Sequence, residues 1–295
     1  MTSSADESAL KDEIARLEAE LSLARSQLSS ISSSTPSERD ETAPLPPNAL
    51  LPSHPLLLLS DSALPLGSFA FSSGLESYLA HHPTTPGNAL AAERFHHFLS
   101  LTLTSLATST LPYLIAAYTK PLNLQDLDAE LDACTLCPVA RRASVAQGRA
   151  LLTLWDRALG SEASPSEAAT ALSDFSQAMK TSTSHLDDAE NIALSGHFAP
   201  VWAAVTCALG ISLHSSAYTF LFSHAKAVVS AAVRASVMGP YKAQGVLASG
   251  WLRRKIEDVM GANWERKVEE AGQGVVMCDL WVGRHEVLYS RIFNS

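Results

Sequence analysis

Apolar positions recur along most of this chain at helical spacing. Ala217, Phe220, Leu221, His224, Val228, Ala231, Ala232 and Ala235 follow the i, i+3, i+4, i+7 rule, which predicts a helix with one buried face. Phe95, Phe98, Leu99, Thr102 and Leu106 share a face, and Leu124, Leu127, Leu131 and Cys134 form a shorter stripe that Pro138 closes. Gly148, Leu152, Trp155 and Leu159 line another helix, for which Gly160 is the expected C′ glycine. Ser164-Pro165-Ser166-Glu167 reads as an N-cap Ser, a Pro at N1 and a capping-box Glu. It opens a helix with Leu172, Phe175 and Met179 inward. Phe198 to Leu213 reads as a buried core helix, and Met238-Gly239-Pro240 as a stop before a helix over about Lys242 to Met260. Two-residue alternation is rare, so the expected fold is all-α, a single helical bundle.

The first residues stand apart. Leu10, Ile14, Leu17, Leu21, Ala24, Leu28 and Ile31 alternate spacings of four and three, the a/d pattern of a short coiled coil. A Ser-rich, then Pro-rich stretch follows, with Pro36, Pro44, Pro46, Pro47, Pro52 and Pro55. The expected domains are therefore 1–31, a heptad helix, 32–54, a linker, and 55–295, the helical domain.

Composition narrows the function. Hydrophobic residues make up 46% and charged residues 17%, which is ample for a core but sparse for a solvated surface and suggests that partners cover part of it. The net charge of −9 and the lack of a basic run argue against nucleic-acid binding. The N-terminus lacks a secretory pattern, and no segment reaches the roughly 20 apolar residues of a membrane span, so a cytoplasmic protein is expected. Cys134-x-x-Cys137 lacks a second pair at zinc spacing, and Cys207 sits in an apolar run.

Enzymatic signatures are missing. There is no phosphate-cradling GxxxxGK[ST], no GxSxG elbow and no HExxH. Glu93-x-x-His96 places two ligand types on one helix face, but a di-metal bundle needs that motif twice. A helical metalloenzyme using Glu93, His96 and other histidines is the rival reading. His224 reads as a hydrogen-bonded core histidine, and His197 as a residue held by a backbone hydrogen bond at a helix start.

The densest stretch is Asp61-Ser62-Ala63-Leu64-Pro65-Leu66-Gly67-Ser68-Phe69-Ala70-Phe71-Ser72-Ser73-Gly74-Leu75-Glu76. Pro65 biases Leu64 away from the helical region, and Gly67 supplies backbone freedom. The segment is either a shaped surface for another macromolecule or a buried corner. Gly148 within a helix reports close packing, since glycine there costs about 1 kcal/mol relative to alanine. Gln147 and Arg149 beside it can make multidentate hydrogen bonds. Arg234 is a lone guanidinium among small residues and calls for a carboxylate or carbonyl partner. Tyr289, Arg291 and Phe293 are anchor-type residues at a terminus.

This corner resembles the N-terminal signature of the UreF family of urease accessory proteins. Arg141 to Arg149, Ser195 to Pro200, Ala231 to Arg234 with Met238-Gly239-Pro240 and Gln244, and the tail from His285 to Ser295 match the same family in the same order. The resemblance runs from about residue 55 to the end. It implies an all-α, non-catalytic scaffold that forms a homodimer, binds a UreD (UreH)-type protein, recruits a nickel-carrying UreG-type GTPase and docks on apo-urease. Nickel is then handled by the assembly, with no cofactor or metal site in the chain, and GTP hydrolysis is influenced by the scaffold. The expected partner-binding residues are Ser62, Leu64, Pro65, Gly67, Ser68, Phe69, Glu76, Gln147, Gly148, Arg149, Arg234, Gln244, His285, Tyr289, Arg291 and Phe293. A coiled-coil adaptor unrelated to urease is a third reading.

Overall fold

The computed structural model describes residues 16–17, 54–82, 89–182 and 194–294. The chain divides into two compact units, Met1–Leu51 and Pro52–Ser295. Of the first, only Arg16 and Leu17 are described, and both are helical. The rest of the heptad and residues 32–53 of the linker lie outside the described residues.

The second unit is all-α, with no strand among the described residues. Its helices are α1 (His54–Ser60), α2 (Leu75–His81), α3 (Ala89–Ser109), α4 (Leu111–Thr119), α5 (Leu124–Cys134) and α6 (Pro138–Leu154). They continue with α7 (Glu167–Ser182), α8 (Phe198–Ala208), α9 (Leu213–Arg234), α10 (Pro240–Leu247), α11 (Gly250–Ala262) and α12 (Val276–Arg284). No single helix among the described residues is long and apolar enough to cross a membrane.

Helix α8 is apolar almost all round and is therefore enclosed. Ala199, Val201, Ala203, Ala204 and Val205 have no exposed surface. Helices α4, α6 and α7 pack around it, and the long α9 runs beside it against α3, α10 and α11. Alanines on α8 and α9 allow the axes to approach, while Trp202, Phe198 and Phe220 fill the space between them. The Trp202 indole donates to the Ser216 carbonyl at 3.2 Å, so this large core side chain leaves no orphaned donor.

Several boundaries differ from those the sequence predicts. The stretch 242–260 is two helices, because Ser249 leaves the helical region and its hydroxyl caps α11 by accepting from Leu252 N at 3.2 Å. Helix α9 ends at Arg234, where Ser236 takes a φ of 59°, so Gly239 and Pro240 begin α10 rather than stop α9. The cap of α7 is Ser166, not Ser164: its hydroxyl accepts from Ala169 N at 3.2 Å. Pro138 likewise opens α6. The apolar run 198–213 breaks after Ala208 at Gly210, whose φ is 70°. Gly160 is not a left-handed cap. It has a φ of −65° and follows a wide π turn at Trp155–Leu159. Its size is what matters, since an added Cβ would lie 3.1 Å from the Trp155 carbonyl oxygen.

Candidate functional site

The segment 61–76 folds as a corner between α1 and α2. Gly67 has a φ of 71°, a short 3-10 turn covers Ser68–Ala70, and Gly74 caps α2 with a φ of 83°. Both glycines occupy the left-handed region that other residues rarely adopt. Gly74 also has to be small: an added Cβ would lie 2.9 Å from Val282 N on α12. Leu66 turns inward, whereas Ser62, Pro65 and Gly67 are exposed and Leu64, Ser68 and Phe69 are half-buried. The corner is thus buried on one side and exposed on the other. It roofs a cavity of about 280 Å³ whose walls include Phe69, Leu106, Trp202, Phe220 and His224.

Helix α12 seats beside the corner through aromatic contacts. The Tyr78 ring stands edge-on to Trp281 at 4.8 Å and tilts over Phe98 at 4.9 Å. Beyond α12 the tail returns to the corner. The Glu76 carboxylate accepts from Ile292 N at 2.7 Å and Phe293 N at 3.3 Å. Asn294 N donates to the Ala70 carbonyl at 2.8 Å. His285 is fully buried, and one ring nitrogen meets the Phe293 carbonyl at 2.9 Å. The Phe293 ring is 5% exposed and lies 4.4 Å beneath the Arg234 guanidinium. Of the carboxylate or carbonyl partner expected of it, Arg234 finds a carbonyl, Ser230 O at a long 3.5 Å, and it also rests on an aromatic face. Arg142 on α6 pairs with Glu286 and ties the start of the tail down further. Tyr289 and Arg291 point into solvent, and Ile292 is 64% exposed.

Glu76, Arg234, His285 and Phe293 thus converge, although they lie far apart in the chain. Gln147, Gly148 and Arg149 belong elsewhere, on α6 against the start of α8. Gly148 is buried: an added Cβ would sit 2.1 Å from the Gly196 carbonyl oxygen and 2.6 Å from the His197 carbonyl carbon. Arg149 donates to the Ser195 carbonyl at 2.8 Å. Gln147 is half-buried and donates to Ala143 one turn back. These polar groups are engaged within the chain. Gln244 is exposed on α10.

Two carboxylates that sequence reasoning missed organise that second region. Asp128 is fully buried and accepts three amides, Ser195 N at 2.8 Å, Gly196 N at 3.0 Å and His197 N at 2.6 Å. Three backbone donors satisfy a buried charge that would otherwise be costly. One turn on, Asp132 accepts from Arg141 at 2.5 Å and from the His197 ring at 2.9 Å. Burial pushes the Asp132 carboxyl up, but the hydrogen bonds from Arg141, His197 and Ser195 outweigh it and hold it down at about 2. The other His197 nitrogen meets the Ser144 hydroxyl at 3.0 Å, so this ring is held by side chains as well as by its backbone. The signal was present in the spacing: Asp128 and Asp132 are four residues apart, beside the stripe residues Leu127 and Leu131.

His224 differs from expectation. Its Nε2 has no hydrogen-bond partner, and burial pushes the imidazole down to about 4. Protonation is therefore easier in the unfolded chain, so stability falls as pH drops from the usual histidine range towards about 4. A His224→Leu variant is expected to lose that part of the pH dependence in urea melts at a series of pH values. An unchanged pH profile would show that another group carries it.

Glu93 is exposed and the His96 ring stands edge-on to Trp251 at 4.8 Å. Among the described residues no three His, Cys, Asp or Glu side chains group to hold a metal ion. Cys134, on the predicted apolar stripe, is exposed, while Cys137 and Cys278 are buried.

The second unit is thus an all-α bundle whose tail, from His285 to Asn294, folds back on a glycine-shaped corner. The UreF family profile matches residues 90–249. An uncharacterized urease accessory protein UreF-like of Schizosaccharomyces pombe is 34% identical over 242 residues, covering 82% of this chain and 97% of that protein. Urease accessory protein F of Oryza sativa subsp. indica is 29% identical over 245 residues, covering 80% of this chain and 82% of that protein. Urease accessory protein UreF of Haemophilus influenzae (strain ATCC 51907 / DSM 11121 / KW20 / Rd) is 24% identical over 245 residues, covering 81% and 94%. The chain belongs to the UreF family and is a urease accessory protein, not an enzyme. The metalloenzyme built on Glu93 and His96 is thereby set aside.

Proposed function

We propose that this chain is a scaffold of urease maturation that presents its corner and docked tail to a UreD (UreH)-type accessory protein. In this reading it forms a homodimer in the cytoplasm, and its complex recruits a UreG-type GTPase and docks on apo-urease. Nickel is the cargo of that assembly, and the chain holds no resident cofactor. The observation that carries the reading is the tail: Phe293 is pinned inward, the backbone of 292–294 is held by Glu76 and Ala70, and Tyr289, Arg291 and Ile292 face solvent. Arginine and aromatic side chains on a rigid support are the residue types that dominate interfaces. An inward anchor that holds the outer residues in place also lowers the ordering cost of binding.

The test is co-expression with a UreD-type protein, followed by titration of the purified partners. Tyr289→Ala with Arg291→Ala is expected to weaken binding by about 30-fold or more. Circular dichroism and the melting midpoint should stay unchanged, because neither side chain contributes to the core. Full-strength binding by the double variant would move the partner surface away from the tail.

A further inference from the structure

The tail is fastened through a group that can change its charge. The Phe293 carbonyl can only accept, so the His285 nitrogen facing it, Nε2, carries a proton and donates at 2.9 Å. The second nitrogen, Nδ1, is buried and has no hydrogen-bond partner. It lies 3.7 Å from Oε2 of Glu76, beyond a hydrogen bond. That same oxygen accepts the Phe293 amide, and its twin accepts the Ile292 amide. In the neutral ring the Nδ1 lone pair therefore confronts a carboxylate at close range, with the imidazole side chain fully buried.

We propose that His285 makes the docked C-terminal segment a proton-controlled latch, in which a proton on Nδ1 tightens the grip of Glu76 on residues 292 and 293 and its loss loosens that grip. The proton converts a lone-pair-to-carboxylate contact into an ion pair shielded from water, where such attraction is strong. Imidazole is the side chain whose charge changes near neutral pH. Other charged and titratable groups sit on the elements that meet here: His81 of α2 has its Nδ1 2.7 Å from the Ser77 carbonyl, and Asp279 of α12 is half-buried. Arg234 of α9 lies over the Phe293 ring, Arg142 of α6 is paired with Glu286, and Arg94 of α3 acts on the Tyr78 hydroxyl. On its own element, Arg284 is exposed. Glu76 is the only carboxylate within ion-pair distance of the ring among the described residues. The latch controls the segment from 289 to 292, whose side chains face solvent, and it operates in the free chain with no partner present.

The amides of Ile292, Phe293 and Asn294 report it directly, because each has a named acceptor. Hydrogen exchange of the full chain is measured at about pH 6 and about pH 8, with the intrinsic rate of free peptide divided out. Protection of these three amides is expected to be about tenfold greater at the lower pH, while amides of α8 show no such ratio. Glu76→Gln keeps an oxygen for the amides but removes the charge, and it is expected to abolish the ratio. His285→Gln keeps a donor for Phe293 but cannot titrate, and it is expected to do the same. Should His285→Gln fail to fold, Glu76→Gln decides alone. Equal protection at both pH values in the unaltered chain, or an unchanged ratio in Glu76→Gln, would overturn the latch.

Discussion

Gly148→Leu is expected to unfold the protein rather than to split an assembly. Glycine in a helix suggests close packing but does not say against what. Here the neighbour is backbone of the same chain, with the Gly196 carbonyl oxygen 2.1 Å, the His197 carbonyl carbon 2.6 Å and Phe198 N 2.8 Å from where a Cβ would stand. Backbone atoms at a helix start cannot move aside as a flexible side chain can. Those same residues are pinned from the other side by Asp128, so yielding would break its hydrogen bonds as well. The cost is expected at about 3 kcal/mol or more, the upper end for overpacking. That is a large share of the total stability of a typical domain. Even Gly148→Ala places a carbon inside these contacts and should lower the urea midpoint clearly. Urea melts followed by circular dichroism measure this, with sedimentation to separate unfolding from dissociation. An unchanged midpoint in Gly148→Leu would mean that α6 and α8 part without penalty.

Asp128→Ala is expected to destabilise the same junction by about 4 kcal/mol, because three amides lose their acceptor at once. Asp128 has no exposed surface, so water cannot enter to replace the carboxylate without opening the helices. Asp128→Asn should lose less, about 2 kcal/mol, since its carbonyl still accepts while its amide group repels a third N–H. The order Ala, then Asn, then the unaltered chain is the informative result in chemical denaturation. Exchange at the amides of Ser195, Gly196 and His197 should rise in both variants. If Asp128→Asn proves as stable as the unaltered chain, the charge is unimportant and the shape of the side chain suffices.

The fold class and most helices were legible because they rest on local periodicity. The stripe of Phe95, Phe98 and Leu99 on α3 has at most 2% exposure, and Phe220, Leu221 and Val228 on α9 at most 4%. Helix ends were legible only in part. Ser, Pro and Gly each support more than one role, so Ser166 rather than Ser164 caps α7 and Pro240 starts a helix rather than ending one. The break at Ser249 did leave a signal, a Ser-Gly pair at 249–250 that marks a turn or cap, but the apolar spacing on either side of it reads as one continuous helix.

What the sequence by itself determined is the set of local instructions. These are the apolar stripes, the corner that Pro65, Gly67 and Gly74 shape, the smallness required at position 148, and a tail too rich in anchors to lie free. Only the tertiary structure decided which of these meet. Glu76 reaches Phe293 across 217 positions of chain, and Ser195 reaches Asp128 across 67. Periodicity says which face of a helix is buried but not which helix covers it. Buried amides and carboxylates take whichever partner the packing brings within hydrogen-bond reach, since leaving them unpaired away from water is costly. That is why Asp128 became a clasp for the start of α8, and why Arg234 came to rest on the ring of Phe293.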